Sequence, residues 1–547
     1  MPTLSLVARS RRVLAEWKSA LAPLCALAKT STALGCFTLI LSVQHAAAQP
    51  SAEARFDVLE YRVEGNSTLS VESIERAVYR FLGEKRTVAD VEAARTALEV
   101  AYREAGFGTV VVDTPEQRVT DGVVILQVVE APVARLRVIG SKYFSQGRIL
   151  DAVPALAEGT VPNFKVATEE LAAVNRSADR RVTPVLRPGK TPGTTEVDLM
   201  VEDKSPLHAS VELNNKSSPN TTPARLQASV RYDNLWQLDH SIGVQAQVSP
   251  QDTSQVKVLS GSYSVPIGTG LLIMSAIRSD SNTVAGVGGT SIFGKGSIFG
   301  LRRVVILGSD PDFSQTLTYG GDYKDFTESV SVGANQGFNT PVRYLPLTLS
   351  YSATSIGKSG TWQAGTSLEL AVRGLASRQS QFDDKRFMAQ SNFSILKLDL
   401  ARTQNLAGGI SLYGKLEAQL SDQALISNEQ FVAGGVDSVR GYLEATAVGD
   451  KALRATLEVR SDNLVGDRWP DIGGLRVHAF VDAAALRLNS PLPAQTSRFY
   501  LAGSGIGLRL QARTAGSLAL DLAWPLHDAG QAKAGSPRLH ASGVWEF

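Results

Sequence analysis

From Arg538 to the end of the chain, apolar and polar positions alternate. Leu539, Ala541, Gly543, Trp545 and Phe547 fall on one side, and Arg538, His540, Ser542 and Glu546 on the other, with only Val544 out of step. Successive side chains of a strand point to opposite faces, so this spacing predicts a strand with one apolar and one polar face. The period of two recurs upstream. Leu453, Ala455, Leu457 and Val459 alternate with Arg454, Thr456, Glu458 and Arg460, and Leu518, Leu520, Leu522 and Trp524 alternate with Ser517, Ala519, Asp521 and Ala523. Ile506, Leu508 and Leu510 oppose Gly507, Arg509 and Gln511, while Ile410, Leu412, Leu416 and Leu420 oppose Ser411, Tyr413, Lys415, Glu417 and Gln419. Leu226, Ala228, Val230 and Tyr232 likewise oppose Gln227, Ser229, Arg231 and Asp233. A greasy face closed by Trp and Phe, opposite a charged face, suits a wall with lipid outside and water inside. About 16 such segments between Leu207 and Phe547 predict a transmembrane β-barrel of antiparallel strands. Stretches rich in Gly, Ser, Asn and Asp, such as Ser279 to Gly296 and Asp325 to Gly337, read as its loops.

Residues 55 to 203 follow a different rhythm, repeated once. A strand-like Phe56 to Glu64 ends at the turn signal Gly65-Asn66. Helical spacing then links Val71, Ile74, Val78, Phe81 and Leu82, and again Val91, Ala94, Leu98, Ala101, Tyr102 and Ala105. Strands are predicted near Thr109 to Val112 and Val123 to Val129. A second copy opens with Arg137-Val138-Ile139-Gly140, echoing Arg62-Val63-Glu64-Gly65. Ile149, Val153 and Leu156, then Ala167, Leu171 and Val174, mark its helices; Val182 to Leu186 and Val197, Leu199 and Val201 mark its strands. Each copy reads β-α-α-β-β. Ala131-Pro132 and Ser205-Pro206 form the joints.

The N-terminus reads as a secretory signal. Arg9, Arg11, Arg12, Lys18 and Lys29 precede an apolar run, Thr32 to Val43, and the small-residue site Ala46-Ala47-Ala48, which places the mature start at Gln49. That run is shorter than the roughly 20 apolar residues a spanning helix needs. Both cysteines, Cys25 and Cys36, lie in the removed segment, so a disulfide or thiol chemistry is not expected. Loss of the five basic residues and Glu16 takes Lys+Arg from 55 to 50 and Asp+Glu from 53 to 52, turning the net charge from +2 to −2. Nothing in that balance points to nucleic acid.

Catalytic signatures do not accumulate. Gly289 to Gly296 nearly spells a phosphate-binding loop, but Gly296 stands where Ser or Thr would hold magnesium. There is no Gly-x-Ser-x-Gly elbow and no His-Glu-x-x-His, and the histidines are scattered, His478 and His540 reading as polar wall residues. No enzyme activity, cofactor or metal is expected. One connection stands out: about 30 residues separate the strands ending near Leu420 and starting near Ala452, longer than a structureless loop usually runs. Its core reads Gly434-Gly435-Val436-Asp437-Ser438-Val439-Arg440-Gly441-Tyr442, with Gly449-Asp450 close behind.

With these residues in view, the chain resembles the transporter component of two-partner secretion systems, the hemolysin-activator and filamentous-hemagglutinin-transporter type of the POTRA-barrel superfamily. Val439-Arg440-Gly441-Tyr442 matches that family's VRGY/F motif on the sixth extracellular loop, which folds back into the lumen. Phe480-Val481-Asp482 matches its F-x-D motif on the thirteenth strand, and the local period of two independently turns Arg476, His478, Phe480 and Asp482 inward. The resemblance implies a lock between Arg440 and Asp482. It implies a signal peptide at 1–48, POTRA units at 49–131 and 132–204 in the periplasm, and an outer-membrane barrel at 205–547. It further implies that Trp545 and Phe547 close a C-terminal assembly signal, that barrel assembly machinery inserts the chain among outer-membrane lipid, and that the POTRA units bind a secreted exoprotein for passage to the cell surface. Two departures stand out. Ala483-Ala484-Ala485 follows Asp482 where relatives often carry Gly, and only Gln49 to Arg55 precede the first strand where many carry a plug helix. An insertase of barrel proteins and a passive porin-type channel are the alternative readings.

Overall fold

The computed structural model describes residues 54–281, 284–287, 290–331, 337–465, 469, 471–513 and 516–547. The expected signal peptide, Gln49 to Glu53, both cysteines and Gly289 lie outside them. Two α+β units and a closed barrel make up the described chain.

In the first unit the strand expected over Phe56 to Glu64 is broken at Leu59. Phe56–Val58 pairs with Gly83–Arg86 in a small ribbon, and Glu60–Glu64 joins a three-stranded sheet with Val123–Val129 at its centre and Val111–Asp113 beyond. Helices Val71–Val78 and Val88–Glu104 cover that sheet. Thr87 starts the longer helix with a capping box: its hydroxyl accepts from Asp90 N–H, and the Asp90 carboxylate accepts from Thr87 N–H at 2.8 Å. Val91, Ala94, Leu98 and Tyr102 form the buried stripe that the helical spacing requires. The second unit repeats the plan, with strands Val133–Ile139, Arg180–Pro188 and Thr195–Asp203 and helices Gln146–Asp151 and Phe164–Val174.

The repeated Gly has a shared physical cause. Gly65 (φ +84°) and Gly140 (φ +94°) end corresponding strands, and a Cβ on either would lie 2.3 or 2.5 Å from the carbonyl oxygen of Val128 or Val201. The turns that follow each point their N–H groups at one acid. Glu130 accepts from the N–H groups of Ser67 (2.8 Å) and Thr68 (3.0 Å) and from both hydroxyls. Asp203 accepts from the N–H groups of Lys142, Tyr143 and Phe144 at 2.8, 2.8 and 3.3 Å. Burial opposes ionisation of each, but these donors outweigh it and hold both carboxyls below their ordinary range.

Sixteen antiparallel strands then follow in sequence order, from Leu207–Asn214 to Arg538–Glu546, the eighth interrupted once at Leu345. Alternation is as the pattern requires. Leu453, Leu457 and Val459 point outward, about half exposed, while Arg454 and Glu458 are buried inside. The described residues of Asp325 to Gly337, expected as a loop, are strand: Phe313–Ser331 pairs with Gly337–Tyr344 from Lys324↔Tyr344 to Ser331↔Gly337. This hairpin's polar composition, Gly, Asn, Asp and Ser among them, hides the pairing because the pattern of a lipid-facing strand is missing. The barrel closes where the sixteenth strand meets the first, from Ser542↔Asn214 to Glu546↔Ser210. Phe547 finishes the seam, exchanging backbone bonds with Ala209 at 2.8 and 3.2 Å. Trp545 stands half exposed on the outer face.

The second unit is bolted to the barrel. In the turn after the second barrel strand, Trp236, Gln237 and Asp239 all adopt positive φ without being glycine. That turn aims Gln237 at Ser145 N–H (2.8 Å) and Tyr143 C=O (3.1 Å), and Asp239 at Arg180 (3.1 Å). Beside it His208 bridges Asp179 (2.8 Å) and Asp233 (3.5 Å). Among the described residues this trio is the grouping closest to a metal site. Both carboxylates already face a cation, Lys204 at 3.5 Å and Arg231 at 2.8 Å, and the trio is accounted for as an ion-pair network.

A depressed folded-state pKa gives stability that is present above the unfolded value and lost as pH falls toward the folded one. Glu130 and Asp203 therefore predict that both α+β units are acid-sensitive. Thermal melts followed by helical circular dichroism should show midpoints dropping below about pH 5, and Glu130→Gln or Asp203→Asn should lower the neutral-pH stability by about 1–3 kcal/mol while flattening that acid limb. An unchanged acid limb in both variants would refute the assignment.

Candidate functional site

The connection between the eleventh barrel strand, Ser411–Leu420, and the twelfth, Lys451–Arg460, does not stay outside. A short ladder, Phe431–Ala433 with Ala447–Gly449, forms its base, and the residues between turn back into the lumen. Val439 and Tyr442 are fully buried there. They pack with Ala433, Ala484, Leu486 and Leu501, and the Tyr442 hydroxyl donates toward the carbonyls of His527 (2.8 Å) and Ala502 (3.0 Å).

Arg440 carries the charge inward. Its Nε lies 2.7 Å from Asp482 Oδ2 and its Nη2 2.9 Å from Oδ1, a two-pronged pair, while its backbone N–H adds a third bond to the same carboxylate at 3.1 Å. Phe480 lies beneath the guanidinium, 3.4 Å from ring centroid to Cζ. The structure thus places Arg440, Phe480 and Asp482 in contact, with Val439, Gly441 and Tyr442 beside them. Trp545 and Phe547 lie apart, at the seam.

Further residues complete the site. Glu458 Oε1 lies 2.8 Å from Arg440 Nη2, and Asp521 Oδ1 lies 4.0 Å from Nη1. Asp521 also faces His478 (2.8 Å) and Arg509 (2.7 Å). His540 Nε2 accepts from Gly441 N–H at 3.0 Å, so that nitrogen carries no proton. The inward parity of these positions was visible in the sequence; which of them meet is set by strand register.

Room for the loop comes from the fourteenth strand, Arg498–Ala512, and not from the residues after Asp482. A Cβ on Gly503 would lie 2.0 Å from the carbonyl oxygen of Arg440. The spacing Gly503, Gly505, Gly507 was the available sequence signal for such close approach. Ala484, in the Ala483-Ala484-Ala485 run after Asp482, contributes its methyl to the packing around Val439 and Tyr442.

The returning limb is anchored separately. Asp450, fully buried, takes both prongs of Arg386 at 2.6 and 2.8 Å and the N–H groups of Leu425 (3.1 Å) and Asn489 (2.6 Å). Arg386 follows the short helix Gln379–Lys385 in the loop after the ninth strand. One carboxylate thereby ties three loops together. No sequence signal paired Arg386 with Asp450, since they sit on different loops.

The profile of the haemolysin secretion/activation protein ShlB/FhaC/HecB matches residues 193–510, more than half of the chain, and that of the ShlB-type POTRA domain matches residues 56–131. The chain belongs to this haemolysin secretion/activation family. It is an outer-membrane transporter, with POTRA units in the periplasm, that secretes a partner exoprotein. The outer membrane transporter CdiB of Dickeya dadantii (strain 3937) is 23% identical over 453 residues, covering 78% of this chain and 75% of that one. The protein of the same name from Escherichia coli is 21% identical over 459 residues, covering 82% and 76%. Among solved structures, CdiB from Escherichia coli superposes with a TM-score of 0.65 at 19% identity, covering 92% of this chain and 93% of that one. CdiB from Acinetobacter baumannii gives 0.57 at 14%, covering 98% and 96%. BamA from Haemophilus ducreyi lacking POTRA domains 1-3 gives 0.54 at 14%, covering 90% and 100%. At these identities the structures share the fold.

Because the loop backbone touches Gly503, Gly503→Ala should displace the Arg440 segment. Purified variant protein in planar bilayers is expected to conduct more than the parent, and deletion of Gly434 to Gly449 more still. Equal conductance in all three would show that the loop does not narrow the pore.

Proposed function

We propose that the loop carrying Arg440 is the gate of the export path and that the Arg440–Asp482 pair is its lock. The observation that carries this reading is the burial of one guanidinium among Asp482, Glu458 and Asp521 inside the barrel, on a loop tip that must move for a polypeptide to pass. An ion pair out of water is held strongly against loss of one partner, yet it can be exchanged for other charges. A passing chain supplies such exchanges without a nucleotide, and folding of the client outside would give direction. The reading assigns no catalytic step, cofactor or metal to the chain.

The POTRA units, taken as 49–131 and 132–204, would bind the client exoprotein in extended form in the periplasm, after residues 1–48 are removed as a signal peptide. Barrel assembly machinery would read Trp545 and Phe547 during insertion into outer-membrane lipid. The barrel is taken as 205–547. Membership in a secretion family favours this reading over the insertase and porin alternatives.

Two tests follow. Deleting the gene should trap one large protein in the periplasm and leave other outer-membrane barrels intact; a general loss of barrels would favour the insertase. Arg440→Ala leaves three carboxylates facing one another, whereas Asp482→Ala leaves Arg440 with Glu458 and Asp521. Secretion should therefore fall in both, more in Arg440→Ala, by roughly 100-fold or beyond given about 3–5 kcal/mol for a broken buried pair. The double variant should be little worse than Arg440→Ala, because the residues act as one unit. Additive losses, with normal barrel insertion, would sink the lock.

A further inference from the structure

Charge on the lipid face of a barrel strand is costly unless it lies near a membrane interface and meets a partner. Arg402, on the tenth strand, Ser394–Asn405, is such a charge. It shares parity with Leu398 and Leu400, both exposed on the outer face, and pairs in register with exposed Trp362 of the ninth strand, Gly360–Ala371. Its Cζ stands 4.8 Å from the Trp362 ring centroid. Its hydrogen bonds leave from Nη2 alone, to Ser359 Oγ at 3.1 Å and to Gln404 Oε1. Among the described residues no carboxylate pairs with it, and Nε and Nη1 keep their N–H groups for another acceptor. The turn holding Ser359 follows the eighth strand. In an antiparallel barrel the turns after even-numbered strands share one end, here the end where the turn after the second strand meets the second α+β unit. Arg402 therefore lies toward the periplasmic leaflet, with an aromatic ring beside it as at a membrane interface.

Beside the guanidinium the wall is hollow. A groove of about 570 Å³ runs from Trp362 and Arg402 across the eleventh, twelfth and thirteenth strands. Its floor is Gly414, opposite Arg402, and Ala455, opposite Ala483; Leu416 and Leu457 rise beside them. No crowding imposes the glycine, since a Cβ there would meet only Leu457 Cδ1, at 4.0 Å. The alanine run after Asp482 divides its work across the wall. Ala484 packs against the loop inside, and Ala483 keeps the groove open outside.

We propose that this groove holds one anionic glycerophospholipid of the periplasmic leaflet, with an acyl chain on the floor of Gly414, Ala455 and Ala483 and the phosphate on Arg402. A hydrocarbon chain seated in a hollow touches wall atoms on several sides, contacts that a flat wall does not offer. The free prongs of the guanidinium match a phosphate. Lys358, exposed in the same turn as Ser359, adds a second positive charge and favours a headgroup of net negative charge.

Native mass spectrometry of the purified protein in mild detergent tests the site, with phosphatidylglycerol as the probe. The parent should retain one phosphatidylglycerol per barrel, roughly five-fold more tightly than phosphatidylethanolamine. Arg402→Gln, which removes the charge, and Gly414→Leu, which fills the floor, should each weaken retention roughly ten-fold. Arg303→Gln should not. Arg303 is an outward arginine of the sixth strand, Gly296–Asp310, already bonded to the carbonyls of Val304 (2.8 Å) and Ile267 (2.7 Å). Heat-modifiable migration on gels reports whether each barrel has folded, and if Gly414→Leu has not, Arg402→Gln against Arg303→Gln decides. Retention unchanged in the folded groove variants, or lost equally in Arg303→Gln, would overturn the site. Phosphatidylethanolamine held as tightly as phosphatidylglycerol would overturn its preference for an anionic lipid.

Discussion

A strand crossing lipid finds no water for its N–H and C=O groups, so every strand must be bonded on both sides and the sheet must close on itself. That requirement fixes the rest of the molecule. Closure with sixteen strands leaves an interior too wide for wall side chains to fill. Something else has to occupy it, and here the filling comes from the chain itself, folded in between the eleventh and twelfth strands. The wall's inner face therefore combines polar positions with places for an apolar tip and a cation.

On that face, charge is placed by parity. Glu458, Asp482 and Asp521 project from three neighbouring parts of the wall toward one guanidinium, and Arg509 and His478 offset the remaining negative charge on Asp521. Apolar contacts of Val439 and Tyr442 fix the position, and the charges fix the register. Asp450, held by Arg386 at the outer end, limits where the returning limb can go. The loop is held by an ion pair at its base and by another at its tip.

Much of this was legible because lipid imposes a period of two. The outward residues of the twelfth, thirteenth and fifteenth strands, and the inward turn of Asp482, followed from that alone. The POTRA helices were legible from the three-and-four spacing of Val91, Ala94, Leu98 and Tyr102. Where neither rule applies the reading failed. The paired ends of Phe313–Ser331 and Gly337–Tyr344 lack the lipid pattern, and these strands passed for a loop. Leu59 breaks the first strand because Phe56–Val58 finds a partner in Gly83–Arg86, a tertiary choice with no local mark. The Arg440–Asp482 pair was reached through a motif, but Glu458 and Asp521 join it only through the stagger between strands, which no single strand encodes.

The seam has a consequence for how the barrel forms. Its bonds join Ala209 to Phe547, the first barrel strand to the end of the sixteenth, so the contact of greatest sequence separation in the barrel is also the one that removes its last two edges. Every other pairing can form between neighbours in the chain as they meet. Loop-closure entropy makes the long-range contact the slow one. Until the strand ending at Phe547 arrives, the sheet is an open ribbon with two unpaired borders, and its closing step must be a closure of the ring rather than further growth.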